Sequence, residues 1–200
     1  MNYYSPSEFI KNAYSLIITK IFYHNSRLIR RPIYIRGKKS LCGAKGLTTG
    51  RNCRFDLIGT KPTLHIGDNC EFGDMTHIVA YEKVVIGSNV LLASKCFISD
   101  TNHGSYKGSM QDNPYSFPKE RKLISSAVVI EDNVWIGENV VVLAGSKVGK
   151  GSIIGANSVV SGEIPEGTIA VGVPARLIKK WNQQNNEWEK ICEKNKVFSR

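Results

Sequence analysis

Ile130-Glu-Asp-Asn-Val-Trp-Ile136-Gly-Glu-Asn-Val-Val-Val142-Leu-Ala-Gly-Ser-Lys-Val148-Gly-Lys-Gly-Ser-Ile-Ile154-Gly-Ala-Asn-Ser-Val-Val160 carries an aliphatic residue at every sixth position. Four positions after each of the first five stands a small or β-branched residue: Val134, Val140, Ser146, Ser152, Ser158. Just before these come Asn133, Asn139, Gly145, Gly151 and Asn157. Asn and Gly accept a left-handed backbone most readily, so each unit of six reads as a short strand, a tight corner and the next strand. A helix cannot hold this pattern, because six residues turn through about 600° and the aliphatics would wander round the cylinder. A free strand would alternate every second residue. Three strands and three corners close a triangular coil, and such coils stack at roughly 4.8 Å, the spacing of hydrogen-bonded strands.

Upstream the period returns at Ile66, Phe72 and Ile78 and, after two extra residues, at Ile86, Leu92 and Ile98, with Asn69 and Asn89 at corners. These twelve units predict an all-β core of about four coils, a prism on the order of 20 Å tall. Cys70 and Cys96 fall on the inward small position, which makes them core thiols and not nucleophiles. Over residues 99–129 the period stops, and an excursion of this length without repeats usually carries function. It holds Asp100-Thr-Asn-His-Gly104, Pro114, Pro118, Tyr106, Tyr115 and Gln111.

Outside the repeat, Ser5-Pro-Ser-Glu8 has the form of a capping box with proline at the first helical position. Phe9, Ile10, Ala13, Leu16, Ile17 and Ile21 follow at helical spacing, so a helix ending near His24 is expected. Its stripe suits packing onto the main body or, given the neighbouring cations, a membrane surface. After Gly172-Val-Pro-Ala175 a polar helix is expected from about Arg176 to Lys194, bearing Trp181, Trp188 and Ile191. The expected organisation is therefore a helix and basic segment over 1–55, the solenoid over 56–166, and a turn plus helix over 167–200.

The chain has 200 residues, 42% of them hydrophobic and 22% charged, which fits a soluble globular protein and excludes a disordered chain, a collagen or a coiled coil. No run of 18 apolar residues exists, so no transmembrane helix is expected. The segment from Tyr14 to Tyr23 is too short for one, is broken by Lys20 and lacks a small-residue cleavage site. Cys42, Cys53, Cys70, Cys96 and Cys192 form no CxxC pair and read as free thiols in a reducing cytoplasm. Between Phe9 and Phe55 there are eleven Lys and Arg and no Asp or Glu, against a net charge of +10 for the whole chain. The remainder nets −1 (10 − 11). Such a block faces phospholipid head groups, a pyrophosphate-bearing substrate or nucleic acid, or is a solvated face. No zinc finger, RNP-like or helix-turn-helix pattern accompanies it, so no nucleic-acid partner is expected.

The segments Ile130 to Gly137, Ile154 to Val160, Ile164-Pro165 and Gly172 to Ala175 resemble the hexapeptide-repeat acyltransferases. That resemblance implies a left-handed parallel β-helix, where the usual rule for parallel crossovers gives the right-handed sense. Asp100 to Gly104, with Pro118, Arg121, Leu123 and Ser126, resembles more narrowly the bacterial O-acetyltransferases that decorate O-antigen and other surface polysaccharides. Galactoside and maltose acetyltransferases are more distantly similar. The likeness runs from about Ile66 to Lys180.

In that family a loop histidine deprotonates a substrate hydroxyl, which attacks the thioester of acetyl-CoA directly. His103 matches it, and imidazole is the side chain whose proton affinity suits the task near neutrality. Asp100, Asn102 or a backbone carbonyl would orient the ring. A backbone N–H at a coil corner would serve the oxyanion. For coenzyme A the resemblance places Trp135 and Glu138 on the pantetheine side and Ala144, Ala156 and Ser161 along the groove. It places Pro174 and Arg176 at the turn meeting adenine and the 3′-phosphate, with Lys179 or Lys180 beside them. Corner packing alone would also account for the two alanines and Ser161. Gly162 stands where the sugar acetyltransferases often carry a lysine, which shifts the phosphate load to Arg176 and Lys179.

No metal is expected. His24, His65, His77 and His103 are 41, 12 and 26 residues apart, whereas a γ-class carbonic anhydrase on this fold needs three metal histidines, two of them close together. The resemblance further implies a homotrimer with each site between two subunits, and a carbohydrate acceptor. A lipid-linked acceptor would bring the basic block to the anionic inner-membrane surface. Two other readings stay open: acetyl transfer to a soluble sugar, sugar amine or serine, and a non-catalytic β-solenoid scaffold.

Overall fold

The computed structural model describes residues 4–191. Short strands stack into three flat sheets: a first of nine strands that includes Leu91–Leu92, a second of six that includes Phe97–Ser99 and a third of six that includes Val128–Ile130. Pairing within the solenoid is parallel and advances one coil at a time. Leu92 lies beside Phe72 and Ile136, Ile98 beside Ile78 and Val142, and Ile130 beside Ile86 and Val148. The coils form a left-handed parallel β-helix of about 7 turns. The aliphatic ladder is the core: Ile78, Leu92, Ile98, Ile130, Ile136, Val142, Val148, Ile154 and Val160 are all fully buried. Each such side chain contributes about 1.5–3 kcal/mol relative to exposure. The corners carry the left-handed backbone that the Asn and Gly pattern requires, with φ of 57–59° at Asn69, Asn89, Asn133, Asn139 and Asn157.

The solenoid starts earlier than the repeat suggests. Strand Leu28–Ile29 opens it, and the inward ladder runs Ile29, Ile35, Gly43, Thr49, Phe55 before reaching Ile66. The basic segment is thus part of the first coils. A boundary at 55/56 cuts through strand Cys53–Leu57, and Thr168–Val171 adds a last rung beyond 166. Two rungs of the early ladder are Gly43 and Thr49, which hides the six-residue aliphatic period there.

The C-terminal helix expected over Arg176 to Lys194 is replaced, as far as residue 191, by a β-hairpin of Arg176–Asn182 and Glu187–Lys190; residues 192–194 lie outside the described residues. The hairpin pairs antiparallel with the exposed edge of Thr168–Val171. Trp181 and Trp188 sit opposite each other, ring centroids 5.4 Å apart and edge-on. Cross-strand aromatic pairs of this kind stabilise a hairpin, and the open strand edge supplies the hydrogen bonds that a helix would have forgone.

Helix α1 (Pro6–Phe22) begins with the expected capping box: Ser5 Oγ accepts from the Glu8 N–H and the Ser5 N–H donates to the Glu8 carboxylate. Its orientation reverses expectation. The first strand has a coil on one side only, which leaves N–H groups on the other side in need of acceptors. The Ile29 N–H donates to Thr19 Oγ1 at 2.9 Å and the Arg31 N–H to Ser15 Oγ at 3.2 Å. Ser15 and Thr19 are therefore buried, and the apolar stripe is turned to the outside, with Ile10 68%, Ile17 61% and Ile21 62% exposed.

Candidate active site

The excursion is an ordered arm rather than a free loop. Thr101–His103 pairs antiparallel with Leu123–Ser125, so that Asn102 faces Ile124 and His103 faces Leu123. This two-stranded stem presents His103 at its outer end, exposed to solvent. The tip is tied by Arg121, whose guanidinium donates to Ser116 Oγ (3.0 Å), the carbonyls of Pro114 (3.0 Å) and Ser116 (2.8 Å), and the Tyr106 hydroxyl (2.9 Å). The Tyr106 hydroxyl in turn donates to the His103 carbonyl. Arg121, Tyr106 and the His103 backbone thus form one chain of hydrogen bonds. Arg121 was legible as a motif residue, but its holding role was not. The signal was an arginine in a loop that offers it carbonyls and a tyrosine.

Asp100 does not orient the histidine. It is fully buried, and its carboxylate accepts N–H bonds from Tyr81 (2.9 and 3.0 Å), Glu82 (2.7 Å) and Lys83 (2.7 Å). A buried carboxylate is tolerated when donors of this kind satisfy it. Its own carbonyl accepts from the Ser126 N–H at 2.8 Å, so Asp100 ties together the two roots of the arm. Of the other histidines, His77 lies 3.1 Å from Asp56 on the outer surface of the second sheet, and His65 is half-buried on the third. Among the described residues no group of three His, Cys, Asp or Glu could hold a metal ion.

A cleft of about 510 Å³ opens at the foot of the arm, lined among others by Asn102, Gly104, Ser126, Ala144, Gly145 and Ser161. His103 itself does not line the cleft; in the chain it stands between the lining residues Asn102 and Gly104. Gly145 has φ of 78°, and a Cβ there would stand 3.0 Å from Ser126 Oγ, so the glycine keeps this side of the cleft open. The corner N–H of Gly145 donates to the Ser126 carbonyl and that of Gly162 to Ser146 Oγ. These two corner amides are therefore already engaged.

The residues matched to coenzyme A separate into two rows along the second sheet. Ala144 and Ser161 flank one edge, with Asn102 of the arm beside them in the cleft. Glu138 and Ala156 stand at successive corners of the other, where the Asn157 N–H donates to the Glu138 carbonyl. The Gly172–Ala175 turn containing Pro174 continues that row, pairing with Val159 through 3.0 and 2.8 Å backbone bonds. Between the rows lie the half-buried Phe97, Val141 and Val159. Glu138 is 3.4 Å from Lys95. Trp135, half-exposed, belongs to the neighbouring sheet. Arg176 and Lys179 are on the inner strand of the hairpin.

A stack of short parallel coils, Asn and Gly corners and one arm carrying a histidine constrain relationship strongly. Residues 127–162 match the family described as bacterial transferase hexapeptide (six repeats). Over 188 residues the chain is 45% identical to the putative lipopolysaccharide biosynthesis O-acetyl transferase WbbJ of Escherichia coli K12, spanning 94% of this chain and 95% of that one. The chain belongs to the hexapeptide-repeat acyltransferases. The family's galactoside O-acetyltransferase from the same organism is 32% identical over 161 residues, 78% of this chain and 75% of that one. A solved structure of a galactoside acetyltransferase in complex with coenzyme A aligns at a TM-score of 0.54 and 26% identity, covering 92% of this chain and 76% of that one.

Buried cysteines bear on the chemistry the family site allows. Cys53, Cys70 and Cys96 are buried, and burial pushes the thiols of Cys53 and Cys96 up to about 11. They are protonated at neutral pH and poor nucleophiles. Native protein at pH 7 is expected to take up iodoacetamide at exposed Cys42 and not at these three, and Cys96→Ala should keep its turnover. A stable acetyl adduct on Cys96 in intact-mass measurements would contradict direct transfer. Cys192 lies outside the described residues.

Proposed function

We propose that the protein transfers the acetyl group of acetyl-CoA to a sugar hydroxyl of a bacterial surface polysaccharide or its precursor. It is an acetyl-CoA-dependent acetyltransferase. The observation that carries the finer reading is His103, exposed on the arm between two residues that line the cleft and held by its backbone through Tyr106 and Arg121. The imidazole takes the proton of the acceptor hydroxyl as its oxygen attacks the thioester carbonyl. The tetrahedral intermediate then collapses with loss of the coenzyme A thiolate, which is protonated by the imidazolium. The chemistry asks of the ring only proton transfer at hydrogen-bond reach. The two rows along the second sheet, with an apolar floor between them, suit an extended pantetheine arm. Ala144, Ala156 and Ser161 keep that arm close to the backbone, Glu138 flanks it with Trp135 round the corner on the neighbouring sheet, and Pro174, Arg176 and Lys179 receive the nucleotide end. Asn102 lines the cleft next to the base and is placed to hydrogen-bond the acceptor.

The surface-polysaccharide acceptor is favoured by the 45% identity to the lipopolysaccharide O-acetyl transferase. The assembly is a homotrimer in the cytoplasm, with the arm of one subunit meeting the groove of the next. Light scattering of an active sample should return about three times 22.2 kDa; an active species at the monomer mass removes the shared site. The acceptor is tested by mass spectrometry of the surface glycan from cells with and without the protein. Loss of acetyl increments supports the reading, and an unchanged glycan with turnover on a soluble sugar overturns it.

A further inference from the structure

We propose that α1 is an in-plane anchor that lays the outer end of the solenoid on an anionic phospholipid bilayer. The helix is inverted relative to an ordinary surface helix: its Ser15 and Thr19 side is buried on strand N–H groups, and its apolar side faces outward. Phe9, Ile10, Tyr14, Ile17 and Ile21 are 57–68% exposed along one side of a 17-residue helix. No helix among the described residues is long and apolar enough to cross a membrane, so the geometry is that of a helix lying in the interface.

Charge selects the occupant. Between Phe9 and Phe55 stand eleven cations and no acid, and the structure folds this segment into α1 and the coils next to it. Arg27, Arg36, Lys45 and Arg54 are answered by Glu71, Asp56 and Asp68, and Glu8 at the start of α1 acts on Lys11, whereas among the described residues no ion pair within 4.0 Å forms at Lys11, Lys20, Lys38 or Lys39. Beside the helix, Lys11, Arg31 and Arg51 line a cleft of about 480 Å³, and the buried Arg31 Nε has no partner there. The Arg51 guanidinium is held by the Arg31 carbonyl and Asn12 Oδ1, so Lys11 and Arg31 Nε are the donors the cleft offers a phosphodiester head group. A second copy of the chain fits poorly. A symmetric contact would set cation block against cation block. Apolar insertion and attraction to anionic lipid add in interfacial helices.

The arm with His103 leaves the fourth strand of its sheet counted from this end. That places its root three coil spacings, about 14 Å, above the first coil. An enzyme lying on its α1 end would hold the site over the membrane at the height of a short lipid-attached saccharide. The anchor is independent of the acceptor; this last consequence rests on the function proposed above.

The test is flotation of the full chain with vesicles of phosphatidylcholine alone and with added phosphatidylglycerol, at low and high salt, alongside light scattering. Wild type should float with the anionic vesicles at low salt and be released at high salt. The pair Ile10→Ser with Ile17→Ser, at exposed positions, should retain the fold by circular dichroism and lower the bound fraction about tenfold or more. Failure of the wild type to float with anionic vesicles overturns the proposal. So does a fall in oligomeric mass of the serine pair, which would make the stripe an interface between copies. Turnover with a soluble sugar, measured without vesicles, reports on the acetyltransferase reading separately.

Discussion

Replacing His103 with alanine is expected to leave the fold intact and slow acetyl transfer by about 10²–10⁴-fold. The ring is exposed, and the bond that fixes this position runs from Tyr106 to the main-chain carbonyl, which alanine retains. Removing the imidazole therefore removes a base without disturbing the arm. The measurement is a thermal melt by circular dichroism beside steady-state turnover. A variant with an unchanged melt and near wild-type turnover would take His103 out of the mechanism.

Asp100→Ala should do the opposite, lowering stability first. The change strands the N–H groups of Tyr81, Glu82 and Lys83, which point at a fully buried carboxylate. Each unsatisfied buried donor costs about 1–3 kcal/mol, so a loss of at least about 3 kcal/mol and a drop in Tm of about 6–12 °C are expected. Asp100→Asn keeps the shape and one acceptor oxygen and should fall between. Turnover also drops in both, because the root of the arm loses side-chain bonds that hold it to the 81–83 turn. An unaltered melt with impaired turnover would return Asp100 to a place beside the imidazole. The two variants thus separate chemistry from architecture at positions only three residues apart.

That proximity misleads the reading of sequence. Asp100 is the acid nearest His103 along the chain, yet the residue at the root of a strand-borne arm points into the coil it leaves. The period of six, the Asn and Gly corners and the interruption at 99–129 were legible because each is a local requirement of a coil. The first coils were not, since Gly43 and Thr49 occupy rungs where an aliphatic was looked for. Trp181 and Trp188, seven residues apart, satisfy a helix face and a cross-strand pair equally well; the open edge beside them decided for the pair. The apolar stripe of α1 was found correctly, but its direction was set by two hydroxyls answering the N–H groups of Ile29 and Arg31. The arrangement of the proposed coenzyme A residues in two rows depends on which corner each occupies, and a spacing of six does not say which of three corners comes next.

A stack of identical parallel coils has no intrinsic stopping point. Its terminal strands are templates, and a bare one invites the end coil of another molecule to continue the ladder, as in a growing fibre. Here neither terminus of the nine-stranded sheet continues the parallel pattern: α1 answers one with side-chain oxygens, and the antiparallel hairpin of residues 176–190 closes the other. The two non-repeating ends make the object finite. A coil inserted in the middle would raise the prism by one spacing of about 4.8 Å and leave the same two stoppers in place.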